Sequence, residues 1–349
     1  MDLSVGLKIQ LDRITEGIPA SQLLKSVKTL SARYRGLSGQ DCGRSNTEAR
    51  IITTDIEALA YALVRMPATY AAVTTALKHI AELDVNFAPG SLLDIGAGTG
   101  AATWAADSAF SLQTVICVER EEVMRDLGAR LMSAGSQALR SAKWIGRDLR
   151  DIRDTRDIID QRDPDESRVT NDETTLPNAD LVIASYVLSE IPESARFSLI
   201  EALWNITNDT LLIVEPGTPV CFARVLEIRD LLLSKGAYIV APCARSNPCP
   251  LSGGDWCHFA CRVARSKTHR YLKSGDVPYE DEKFTYMAFS KRSERRARAR
   301  VLRHPIINEG HITLKLCSEE GFRESRITKS QKELYKKARK AKWGDALVL

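Results

Sequence analysis

Leu92-Leu93-Asp94-Ile95-Gly96-Ala97-Gly98-Thr99-Gly100 is the stretch whose reading decides the fold. A short apolar run breaks into alternating glycines, and a helix-forming segment starts at Ala101. Gly96 and Gly98 lack the Cβ that would stop a tight turn or a close ligand approach, and Gly100 allows the helix to pack on the strand. The helix would aim its free N–H groups into the loop, where a nucleotide-type cofactor is expected. A tight strand-to-helix turn without any ligand accounts for the glycines equally well, so the surrounding sequence has to decide.

Thr114 to Val118 is a second apolar run, and it ends at Glu119, an acid placed to hold ribose hydroxyls. The glycine spacing is GxGxG rather than GxGxxG. Asp94 to Gly100 together with Glu119 resembles the first two motifs of class I S-adenosylmethionine-dependent methyltransferases. That resemblance implies cofactor contacts at Asp94, Gly96, Gly98, Gly100 and Glu119. Asp94 can also be read as a strand-end carboxylate capping nearby backbone N–H groups.

Outward from this unit the chain is organised as strand-helix repeats, which imply a Rossmann-like parallel sheet. Ile18, Leu23, Leu24, Val27 and Leu30, then Ile56, Leu59, Ala60, Leu63 and Val64, then Tyr70, Val73, Leu77 and Ile80 recur at helical spacing. Residues 1–88 are therefore expected to form a helical cap before the turn at Pro89-Gly90. Strands are predicted near Leu92, Val115 and Trp144, over Ala179–Ser185, over Leu211–Val214 and near Tyr238. Thr218-Pro219 makes a good helix start, and Gly236 a stop.

Asp148 to Thr175 is dense in Asp and Arg and reads as a solvated insertion. Asp148 occupies a position where the methyltransferase pattern often has an acid near adenine. Ser185, at the carboxyl end of the fourth strand, should face cofactor and acceptor. The following Tyr186-Val187 is not the Asn/Asp-Pro-Pro-aromatic signature of amino-directed nucleic-acid methyltransferases. No residue announces itself as a general base; Tyr186 and Glu190 are candidates by fold position alone.

Cys243, Cys249, Cys257 and Cys261 fall in one Pro- and Gly-rich segment. Four thiolates suit zinc or an iron-sulfur cluster better than magnesium or calcium. The CxxxxxCx7CxxxC spacing has no paired CxxC knuckles and leaves the metal undecided. Cys317, like Cys117 and Cys221, reads as a packed thiol.

These features join Glu215-Pro216-Gly217-Thr218, Asp255-Trp256-Cys257-His258-Phe259 and the basic terminus Ala338-Arg339-Lys340-Ala341-Lys342-Trp343-Gly344-Asp345. Together they resemble the methyltransferase-like small-ribosomal-subunit assembly family, known from mitochondria and bacteria, over roughly residue 50 to the end. The resemblance implies S-adenosylmethionine binding, a 4Fe-4S cluster on Cys243, Cys249, Cys257 and Cys261, and small-subunit rRNA as partner. Zinc is the alternative metal. A non-catalytic rRNA-binding scaffold and a zinc-containing small-molecule methyltransferase are the competing functions.

The 349 residues carry a net charge of +4 and 44% hydrophobic residues, enough for a substantial core with additions. Lys291, Arg292, Arg295, Arg296, Arg298, Arg300 and Arg303 form one basic cluster. Lys329, Lys332, Lys336, Lys337, Arg339, Lys340 and Lys342 form another, and such patches can neutralise phosphates. Tyr335 and Trp343 could stack on bases or pack on the body. No run is long enough to span a bilayer, and Asp2, Asp12 and Glu16 are unlike a transit peptide, so a cytoplasmic protein, monomeric when free, is expected. The expected divisions are a helical region (1–88), a cofactor-binding domain (89–242), a four-cysteine metal loop (243–265) and C-terminal strands with a basic extension (266–349).

Overall fold

In a computed structural model, residues 1–38, 52–151, 176–251, 254–292 and 296–347 are described. Helices α1 (Val5–Thr15), α2 (Ala20–Ser38), α3 (Asp55–Val64) and α4 (Met66–Ala81) precede the first strand. The Thr54 hydroxyl caps α3 by accepting from the Glu57 N–H. Pro67 lies in the first turn of α4. The apolar stripe of α4 packs against the large sheet's core, with Val73 and Leu77 fully buried.

The repeats follow as β1 (Ser91–Ile95), α5 (Ala101–Ala109), β2 (Thr114–Val118), α6 (Glu122–Met132), the short α7 (Gln137–Arg140), β3 (Lys143–Ile145) and β4 (Ala179–Ser185). Then come α8 (Glu193–Ile206), β5 (Thr207–Pro216), α9 (Pro219–Ser234) and β6 (Tyr238–Ala241). After the cysteine-rich loop come β7 (Phe259–Ala264), α10 (Lys267–Leu272) and β8 (Tyr279–Ser290). The sheet order is β3-β2-β1-β4-β5-β8-β6, with β7 pairing onto β8. Strands β1 to β5 run parallel, whereas β8 lies antiparallel between β5 and β6. The sheet is therefore mixed, not purely parallel. Apolar side chains fill both of its faces, as a sheet covered by helices on both sides requires.

A second sheet is built from β9 (Ala299–Val301), β10 (Ile306–Asn308), β11 (His311–Ser318), β12 (Gly321–Thr328) and β13 (Ala346–Leu347). Helix α11 (Lys332–Lys340) packs on β11 and β12 over a small core of Val301, Ile312, Leu314, Leu316 and Ile327. The expected insertion lies, from residue 152 to 175, outside the described residues. Among the described residues no helix is long and apolar enough to cross a membrane.

Candidate cofactor cleft and thiol pocket

The carboxyl ends of β1, β2 and β4 converge on the glycine loop. Gly96, Gly98 and Gly100 all have positive φ (68°, 57° and 85°), a backbone that L side chains rarely adopt. Asp94 is fully buried, and its Oδ2 accepts from the Thr103 N–H (3.1 Å) and hydroxyl (2.6 Å). It therefore ties β1 to α5. Burial, only partly opposed by Thr103, pushes its carboxyl up to about 6. Its second oxygen, Oδ1, is buried and unpartnered.

Glu119 accepts from the N–H groups of Gly98 and Glu121, each at 2.9 Å. It thus braces the loop and still has lone pairs for ribose hydroxyls. Asp148 forms ion pairs with Arg150 (2.5 Å) and Arg120 (3.3 Å). Partial burial raises its carboxyl, but Arg150 and Arg120 outweigh this and hold it at about 2. Ser185 is buried at the end of β4.

Next to it, Tyr186 has φ +57°, and its hydroxyl donates to Glu282 Oε1 at 2.9 Å. Burial and that carboxylate raise the phenol well above its ordinary range, so Tyr186 is poorly suited to accept a proton. Glu190 differs. It is exposed, yet surrounding protein and the carboxylates Glu119, Glu215 and Glu121 push it up to about 7, with Arg120 opposing. A carboxyl that is both reachable and poorly solvated marks a cleft wall. At the bottom, Glu215 is fully buried, accepts from the Leu188 N–H (3.1 Å) and pairs with Arg224 at 3.5 Å.

An acid whose folded pKa is raised keeps its proton when the unfolded chain has lost it, so its contribution to stability falls as pH rises between the two values. For Glu190 that window runs from 4.5 to about 7. Glu190→Gln should melt at a higher temperature than the parent at about pH 8, with the gap closing near about pH 5. Equal gaps at both pH values in thermal melts would show that the carboxyl is not held in this way.

The cysteine loop follows cis-Pro242. All seven described cysteines are free thiols, and among the described residues no three His, Cys, Asp or Glu side chains are grouped to hold one metal ion. The thiols nevertheless sense one another. Burial is the largest cause of the raised Cys257 thiol, and Cys243, Cys317 and Cys249 each add to it. Cys243 is pushed up to about 12 by burial, with Cys317 and Cys249 adding and Arg229 opposing. Cys317 accepts from the backbone of Ala244. Cys261 differs in its surroundings: burial and Glu282 raise it, and Thr75 is its hydrogen-bond partner. It shares its strand face with Phe259 and Val263 in the main core.

Arg229 of α9 is 1% exposed and donates to the carbonyls of Ser246 (2.8 Å) and Asn247 (2.6 Å), fixing the loop between Cys243 and Cys249. Trp256 Nε1 donates to the Gly217 carbonyl at 2.9 Å and stacks on His258.

Most of the first basic cluster is engaged inside the protein. Arg300 is fully buried and donates to the carbonyls of Pro242 (3.0 Å) and Gly344 (2.9 Å). Arg296 pairs with Glu319, Arg292 with Asp209, and Arg303 with Asp255. Lys291 donates to the Asn205 carbonyl. Arg298 is exposed, and Arg295 lies outside the described residues. The second cluster is different, because Lys329, Lys332, Lys336, Lys337, Arg339, Lys340 and Lys342 are presented on or beside α11 and all are exposed. Trp343 packs edge-on against His258 and His304, and Tyr335 packs on the small core, so both rings brace the body.

Strand order, the reversed β8 and the glycine loop define a class I methyltransferase-like α/β protein. Over residues 55–348 the chain matches the family described as mitochondrial small ribosomal subunit Rsm22, and it belongs to that family. It is 27% identical over 306 residues to the human ribosome assembly protein METTL17, mitochondrial; the match covers 83% of this chain and 62% of the relative. Among solved structures, an O-methyltransferase family protein from Burkholderia thailandensis is similar at TM-score 0.45 and 12% identity, covering 80% of this chain and 74% of that one. Magnesium protoporphyrin IX methyltransferase from Synechocystis, solved with bound S-adenosylmethionine, gives TM-score 0.38 at 13% identity, covering 74% and 89%. The expected cytoplasmic location is corrected by these matches: the family and the human relative are both mitochondrial, which points to the mitochondrion.

Proposed function

We propose that this chain is a mitochondrial assembly factor that binds S-adenosylmethionine in the β1/β2/β4 cleft and docks on small-subunit rRNA through α11. The exposed basic face of α11 carries the docking reading, since its cations are presented outward while those of the first cluster mostly serve the fold. The cleft fits the cofactor: its glycine backbone lacks side chains where the ligand must approach, and a Cβ on Gly98 would meet only the Met124 methyl, at 3.5 Å. When bound, the cofactor supplies an electrophilic methyl group. Glu190 is the exposed acid placed to accept a proton from an acceptor. The fastened Tyr186 hydroxyl favours the second reading, a scaffold without turnover.

The thiol pocket fits an iron-sulfur cluster held by Cys243, Cys249 and Cys257, with Cys317 in place of Cys261. Two buried and two half-buried thiols that disfavour one another's ionisation need a cationic centre to become ligands. A single zinc draws its sulfurs to about 2.3 Å. A cluster ligates each thiolate at a separate iron and so accepts a wider ring. In functional terms 1–88 serves as the cap, 89–242 as the cofactor unit, 243–265 as the thiol loop and 266–349 as the docking extension, which also lends β8 to the cofactor sheet.

Lys332, Lys337, Arg339 and Lys340 replaced together by Glu should weaken binding to a small-subunit rRNA fragment at least about tenfold. The slope of log affinity against log salt should fall by about one for each phosphate that is no longer neutralised. Unchanged affinity and slope in a salt titration would reject α11 as the docking surface.

A further inference from the structure

Two arginines border the thiol pocket without a buried carboxylate to answer them. Arg229 of α9 is 1% exposed, so its guanidinium has left water almost entirely. Besides the Ser246 and Asn247 carbonyls, its Nη2 meets the Arg245 carbonyl at 3.4 Å, all three inside the segment from Cys243 to Cys249. Its Nη1 reaches Asp230 Oδ1 at 2.7 Å, but that side chain is 69% exposed and water screens the pair. Among the described residues the buried Nε N–H of Arg229 has no partner.

Arg245 stands between Cys243 and Cys249 in the chain and is half-buried. Among the described residues it forms no ion pair, and its buried Nε N–H is also unpartnered. The second sheet shows where its side chain lies. A Cβ on Gly321 would be 3.1 Å from Arg245 Nη1 and 3.9 Å from Pro250, the residue after Cys249. Gly321 pairs with Ser318, so Arg245 lies against the turn that follows Cys317. Cys243 in turn packs on the core cluster that contains Val225, Ile228 and Leu232 of α9, the helix that carries Arg229.

A buried lysine can shed its proton, whereas an arginine keeps its charge and needs an anion. Uncompensated, a charge taken out of water is costly. Four neutral thiols do not compensate it. Four thiolates do, because they carry more negative charge than the metal core they hold returns. We propose that Arg229 and Arg245 are the counter-charge of the metal centre and favour its one-electron-reduced form. The electron comes from an external low-potential donor, which is oxidised, and no bond is made or broken. Cluster potentials follow net charge and hydrogen bonds to the sulfurs, and each arginine brings a charge and a spare donor. The pocket would then accept an electron as well as join the loop to the second sheet. The inference rests on the iron-sulfur reading given above.

The full chain, reconstituted anaerobically with ferrous iron and sulfide, is titrated with dithionite in the presence of redox mediators while its visible absorption is followed. The parent should take up one electron per cluster. In Arg245→Met, which keeps an apolar stem without the charge, the ratio of reduced to oxidised centre at a fixed poise should fall about tenfold, equivalent to about 59 mV for one electron. Arg245→Lys should return the midpoint toward the parent value. Arg229→Met should shift the midpoint in the same direction. Because it also frees loop carbonyls, it is compared with Arg229→Lys, which keeps the charge and should recover most of the shift. Loss of the cluster in the Met variants with retention in the Lys variants would support the proposal, as a charge needed for loading. An unchanged midpoint in Met variants that hold a full complement of iron and sulfide would overturn it while leaving the cluster reading intact. Loss of the cluster in Met and Lys variants alike would overturn it too, by showing that the side chains only shape the loop. So would a parent cluster that dithionite does not reduce. A parent that binds no iron and sulfide would overturn the iron-sulfur reading itself, and this inference with it.

Discussion

Cys317→Ser should strip the protein of its visible absorption and of its iron and sulfide, whereas Cys261→Ser should leave all three in place. Cys317 sits at the end of β11, accepts from Ala244 and shares an electrostatic environment with Cys243 and Cys257. Cys261 points into the apolar core with Phe259 and Val263. Metal-binding energy is folding energy where the site joins separate segments, and here it would join the loop to the second sheet. The melting temperature of Cys317→Ser should therefore fall by on the order of ten degrees. Anaerobic purification with metal and sulfide analysis of both variants decides the matter. A Cys317→Ser protein that keeps its cluster, or a Cys261→Ser protein that loses it, would restore the loop-only ligand set.

Gly96→Ala should abolish measurable binding of S-adenosylhomocysteine. The φ of +68° already disfavours a Cβ by about 1–2 kcal/mol. That Cβ would also lie 2.5 Å from a Val187 methyl, and overpacking of this sort costs about 1–3 kcal/mol. Val187 is buried next to Tyr186, so the collision moves the loop and the end of β4 together, and both border the cleft. Gly236→Ala is the control, because φ there is +80° but nothing lies within 4 Å. It should show the strain cost alone, with cofactor binding preserved. Retained binding in Gly96→Ala, measured beside that control, would show that the loop does not hold the ligand.

The glycine loop, the strand at Ala179–Ser185 and the helix start at Thr218 were legible because each is a local signal of strand, turn or cap chemistry. Glu119 was legible as an acid at the end of the second strand, but not its backbone-bracing bonds, which depend on how the loop folds back. The fate of the basic cluster was hidden, because Arg300 looks like any surface arginine until the carbonyls of Pro242 and Gly344 meet it. Cys317 carried a readable clue. Ile312, Leu314 and Leu316 alternate toward the small core, so Cys317 shares the other face with Thr313 and Lys315. A thiol buried on the polar face of a strand must be covered by something from elsewhere in the chain, here the loop after β6. Location was not legible either, since absence of a familiar leader pattern said nothing of the family to which the chain belongs.

The position of β8 governs the order in which the molecule can be finished. Ribosomes release the chain from its N-terminus, so β5 and β6 emerge before the strand that must sit between them. Until residue 290 is free, the β5 edge remains unpaired and the loop with Cys243, Cys249 and Cys257 has no closed sheet beneath it. Cys317 emerges later still. A product truncated before Cys317 can therefore never assemble the proposed thiol set, and a loaded centre would certify that translation of this chain ran past its last ligand.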